Sequence, residues 1–173
     1  MDLRKEILKE HTKKQTSKIV DYVGDSHVRF KALIQVFLAG PYSVTQRAAW
    51  PLSYCVENHP SLIQPHLNVL LDHLKQPGLH DAVKRNTIRL LQFIEVPKRL
   101  QGKTADICFT YFNNKKEAIA IRVFSMTVLS NIAQQNPDLK RELKMIIEDE
   151  LPMASAAFLS RARKVLKLLD QTA

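Results

Sequence analysis

The chain has 173 residues, 45% hydrophobic and 25% charged, with a formal net charge of +9. The length suits one domain with its own core and is short for two, and the composition excludes a largely disordered chain. Four glycines leave no glycine-rich phosphate cradle, and no stretch of apolar residues is long enough for a membrane span.

Charge of this size concerns partners rather than fold: it admits an acidic protein, nucleic acid, a membrane surface, or simply a solvated basic face. Many Leu, Ile, Lys, Arg, Gln and Ala residues with few aromatics favour helices throughout. The first fifteen residues are charged and lack the apolar centre of a signal peptide, so the expected location is cytoplasmic.

Residues 2–23 read as one amphipathic helix or two short ones, with apolar patches at Leu3, Ile7 and Leu8 and at Ile19, Val20, Tyr22 and Val23. The polar run between them gives a solvated basic face in preference to a nucleic-acid arm. Gly24-Asp25-Ser26 stops this segment and offers an N-cap. A helix over His27–Ala39 follows, with Val28, Ala32, Leu33, Val36 and Phe37 expected on its inner side, and Gly40-Pro41 ends it.

Ser43 and Gln46 have capping-box spacing and predict a helix to about Glu57, kinked at Pro51. After Asn58-His59-Pro60, Leu67, Leu70, Leu71 and Leu74 form the stripe of a second helix. Residues 81–112 repeat this plan. Val83, Leu90, Leu91 and Ile94 mark a helix, Val96-Pro97 breaks it, and Leu100, Ile107, Cys108 and Phe112 mark the next. Gly102 predicts a late start for that second helix, with Thr104 as its cap. A long apolar helix over 118–133 precedes Asn136 as N-cap and Pro137 at the first helical position. A helix through Leu143 and Ile147 and a last one from about Ser155 to Leu169 complete the chain.

The units share a period. Arg47, Arg85 and Arg122 fall 38 and 37 residues apart, and Pro60, Pro97 and Pro137 fall 37 and 40 apart. Ten residues after each proline stands Leu70, Ile107 or Ile147. Helical hairpins at a fixed period cannot bury their apolar faces alone and must stack.

Paired helices at this period, with an arginine in the first helix and a proline between the two, resemble HEAT repeats. The resemblance runs from about Ser43 to Leu169. It implies an all-α fold, a right-handed α-α superhelix of about nine helices forming a single domain over residues 1–173. Residues 1–41 would be capping helices, 43–76, 81–112 and 117–151 hairpins, and 154–170 a terminal cap. It also implies a non-enzymatic scaffold whose second helices line a concave, partner-binding face. Arg47, Arg85, Arg122, Pro60, Pro97 and Pro137 would then be structural repeat positions.

Chemistry is sparse. His59, His66, His73 and His80 recur every seven residues. Seven residues on a helix span about 10 Å, too far for two imidazoles to share a metal. No cofactor or metal is expected. Cys55 and Cys108 sit in apolar runs and read as reduced core residues, and the acidic run Glu148-Asp149-Glu150 as a solvated helix end.

Basic residues outside the repeat positions point to a binding surface at Lys98, Arg99 and Lys103, with Arg141 and Lys144 as further candidates. A protein partner is expected first. Nucleic acid is the alternative, since a row of cations suits a phosphate backbone. The alkylpurine DNA glycosylases are also built from HEAT-like repeats, and resemblance to them would imply tryptophans with an aspartate on the concave face. This chain has a single tryptophan, Trp50, and the nearest acid is Glu57.

Overall fold

The computed structural model describes residues 1–171. Every regular element among them is helical, in ten α-helices: α1 (Leu3–Lys9), α2 (Lys13–Val23), α3 (His27–Ala39), α4 (Tyr42–Asn58), α5 (Leu67–Leu74), α6 (Asp81–Leu91), α7 (Lys98–Asn113), α8 (Ile119–Ala133), α9 (Pro137–Glu150) and α10 (Ala156–Gln171). Short 3-10 helices at Pro60–His66 and Leu151–Met153 precede α5 and α10. The fold is all-α, as the periodicity predicts. The chain divides into two compact units, Met1–Ile94 and Glu95–Ala173.

In the first unit, the N-terminal segment is two helices. Asp2 caps α1, and Thr12 caps α2 by accepting the Gln15 N–H. Its middle is not solvated all round: Gln15 and Thr16 are buried. Glu6 of α1 accepts from Gln15 Nε2 at 2.7 Å and from Lys18 Nζ at 2.8 Å, and α2 packs on α4 as α4 packs on α6. Phe30, Leu33, Ile34 and Phe37 of α3 meet Val44, Ala48, Leu52 and Val56 of α4 in the core.

Two local expectations fail here, at Val28 and at the Ser43 capping box. Val28 of α3 is 80% exposed, because Phe30 and Ile34 take the inner side. The proposed capping box does not form. Helix α4 begins at Tyr42 behind Pro41 with no side-chain cap, and the Thr45 hydroxyl instead donates to Phe37 O at 2.9 Å. Helix α4 also runs unbroken through the buried Pro51. Gly40 is the C-cap of α3, as expected, with an extended backbone (φ −73°). A Cβ there would lie 2.7 Å from Val36 O and 2.8 Å from Val44 Cγ1, so glycine is needed for close approach.

Three of the four period-seven histidines are packing residues. His66 lies against Phe30 and His73 against Phe37, with ring centroids 6.0 and 5.2 Å apart, and His80 meets Tyr42 at 5.4 Å. Phe30 and Phe37 are also two turns apart, so equal spacing on two neighbouring segments brings the rings into pairs.

In the second unit, α8 is the central element. Ile121, Met126, Val128 and Leu129 are fully buried, and α7, α9 and α10 all pack on it. Helix α7 runs unbroken through Gly102. Thr104 does not cap it; its hydroxyl donates to Leu100 O inside the helix at 2.8 Å. Asn136 caps α9 as expected, accepting from Leu139 N, with Pro137 at the first helical position. Cys55 and Cys108 are both free and buried.

Candidate functional site

The basic residues singled out by sequence fall on two helices of the second unit. Lys98 and Arg99 occupy the first turn of α7, directly after Pro97, and both are exposed. Among the described residues neither makes an ion pair. A helix start carries partial positive charge, so cations there add to the field rather than relieve it. The arrangement suits an anionic partner better than it suits helix stability. Lys103 lies one turn after Arg99 and is half-buried.

Arg141 and Lys144 share a face of α9, but carboxylates already answer their charges. Arg141 pairs with Asp138. Lys144 Nζ lies 2.8 Å from Asp170 of α10 and 3.9 Å from Glu148. The hydrogen bond that Lys144 Nζ donates to the Asp170 carboxylate holds the Lys144 pKa above the usual lysine value. The uncompensated positive charge of this group therefore concentrates at Lys98 and Arg99.

The repeat positions sort differently. Pro60 opens the 3-10 helix before α5, Pro97 stands at the N-cap of α7 and Pro137 starts α9, so each proline marks the start of a helix. Arg47 Nη1 donates to Leu8 O at 3.0 Å. Arg85 is exposed. Arg122 is buried and held on every side. Its Nε donates to Phe112 O at 2.8 Å, one terminal nitrogen reaches both Glu150 oxygens, and the guanidinium lies over the Phe112 and Phe158 rings. Glu150 is thus no solvated acid. It is turned inward, while Glu148 and Asp149 stay exposed.

Sequence spacing missed Arg89, one turn after Arg85. It bonds Ser53 Oγ at 2.9 Å and pairs with Glu57, with its guanidinium between the Tyr54 and Phe93 rings. Glu57 is therefore committed to Arg89. Trp50 is half-buried and has the His11 ring 5.4 Å away.

Sequence reading also missed a cleft in the first unit, of about 480 Å³, between α1, the end of α2 and α3. Val28, Ala32, Val36 and Ala39 of α3 line it, together with Arg4 and Arg29. The available signal was that α3 is apolar on two sides, at Phe30 and Ile34 and again at Val28, Ala32 and Val36.

Among the described residues no three His, Cys, Asp or Glu side chains converge as metal ligands would. No helix is long and apolar enough to cross a membrane. A family model described as a HEAT repeat domain matches residues 3–169. The match takes in α1 to α3 as well as the later helices. No curated protein and no solved structure matches the chain.

Proposed function

The chain belongs to the HEAT repeat domain family, and from that premise we propose that it is a non-enzymatic binding scaffold that engages an acidic segment of a protein partner. The observation that supports this reading is the pair Lys98 and Arg99, exposed on the first turn of α7 with no carboxylate partner among the described residues. By its repeat period α7 would be a second helix, the position through which HEAT repeats commonly meet partners; in the structure it packs on α8. The nucleic-acid alternative is supported by the same charge; the ion pair of Glu57 with Arg89 and the partial cover of Trp50 weigh against its glycosylase-like form.

Fluorescence polarisation separates the two. An acidic peptide and a duplex DNA are each titrated with the full chain at two salt concentrations. The scaffold reading expects peptide binding that Lys98→Glu with Arg99→Glu weakens about tenfold, a change of about 1.4 kcal/mol. Tighter, steeply salt-dependent DNA binding lost in the same variant would favour the alternative.

A further inference from the structure

We propose that the cleft along α3 docks a short amphipathic helix of a partner protein, with its apolar stripe on Val28, Ala32, Val36 and Ala39 and its flanking carboxylates against Arg4 and Arg29. This goes beyond the α7 surface. It rests on the scaffold reading but uses the first unit alone.

The apolar requirement comes from α3 itself. One side of this helix is spent in the core, where Phe30, Leu33 and Phe37 are fully buried. Yet Val28 at 80% exposure continues into half-buried Ala32 and Val36 and exposed Ala39 on another side. A helix apolar on two sides is ordinarily covered on both.

The shape requirement selects a helix. The four α3 residues follow at i, i+4, i+8 and i+11, a track of about 16 Å, or three helical turns. Small side chains at Ala32 and Ala39 leave troughs that a ridge of side chains can enter. An extended segment would bring unpaired backbone donors and acceptors onto this apolar lining, and an all-helical unit has no strand edge to receive them. A helix satisfies its own backbone.

The charge requirement selects carboxylates. Arg29 is pre-positioned: Nη1 donates to Tyr22 O at 2.8 Å, and the guanidinium lies 4.7 Å from the Tyr22 ring centroid. Neither contact neutralises it. Among the described residues no carboxylate pairs with Arg4 or Arg29. The acid in the cleft wall, Asp2, caps α1 through Lys5 N and pairs with Lys5 Nζ. The cleft is left positive.

The test uses three synthetic helical peptides with one leucine stripe and flanks of Glu, Gln or Lys, titrated against the full chain by fluorescence polarisation. The Glu-flanked peptide is expected to bind at least tenfold tighter than the Lys-flanked one. Val28→Glu is expected to abolish binding. This position is exposed, so the variant should keep its fold, and circular dichroism checks that. Arg29→Glu is expected to reverse the order of the peptides. Four outcomes overturn the proposal: no peptide binds, the flanks make no difference, Val28→Glu leaves binding intact, or sedimentation shows a self-association through this face that Val28→Glu dissolves. None of these touches the α7 reading, which is carried by the Lys98 and Arg99 variants.

Discussion

Arg122 and Glu150 meet in a forked ion pair, with one guanidinium nitrogen 2.7 and 2.5 Å from the two carboxylate oxygens. The pair joins the start of α8 to the end of α9. Through Phe112 O and the stacked Phe112 and Phe158 rings, it also joins α7 and α10.

Removing one partner of such a pair strands the other charge in a largely buried place, which costs about 3 kcal/mol. Glu150→Ala and Arg122→Ala should each lower the urea midpoint by that equivalent. Arg122→Lys should recover little, because an ammonium cannot reproduce the fork and the ring stacking. Arg85→Ala, at an aligned but exposed position, should stay within about 0.5 kcal/mol of the parent. Equal losses at Arg85 and Arg122 would show that register, not burial, governs these sites.

Much of this was readable in advance. The prolines and the capping Asn136 announce helix starts because their chemistry is local. Arg122 stood out by register, but Glu150 did not, since an acid at a helix end looks the same whether it faces water or a buried guanidinium. Arg89 was hidden because the interaction jumps from α6 back to α4, and Pro51 occupies the corresponding position in the preceding unit. Val28 misled because α3 is apolar on two sides and periodicity alone cannot say which side is covered. The basic group was legible as composition, and so was Asp138 three residues before Arg141, but the loss of Lys144 to Asp170 depends on where α10 packs.

Acid should weaken the first unit. Burial holds the His73 pKa below 6.5, and burial, Lys31 and His27 do the same for His66. Both histidines are therefore favoured neutral in the folded state. Their contribution is present above the unfolded value of 6.5 and is lost as pH falls below it, because the unfolded chain then binds protons that the folded chain resists. Thermal melting between pH 7.5 and 5 should show a falling Tm, and His73→Leu should flatten the curve. A Tm that rises on acidification would contradict this.

The two thiols should be inert in the native protein. Burial pushes the Cys55 thiol up to about 12, and burial likewise raises that of Cys108. A thiol-specific reagent at pH 8 should label neither residue until denaturant is added, after which both should react. Rapid labelling of the native chain would mean that these helices open readily.

Binding through α7 should respond to charge rather than shape. Lys98→Gln with Arg99→Gln should slow association with an acidic partner and reduce its salt dependence, with little effect on dissociation. Arg141→Gln should change little, because Asp138 already answers that charge. Stopped-flow mixing at two salt concentrations reads both effects. A loss confined to dissociation would point to a buried, shape-driven contact.

The central claim is that the first turn of α7 contacts a protein. A photo-crosslinking residue at position 99 in the full-length chain, irradiated in the source cells, tests it most directly. The account predicts a discrete protein adduct that disappears when Lys98 is changed to Glu in the same chain. An adduct to nucleic acid, or a protein adduct indifferent to Lys98→Glu, would contradict it.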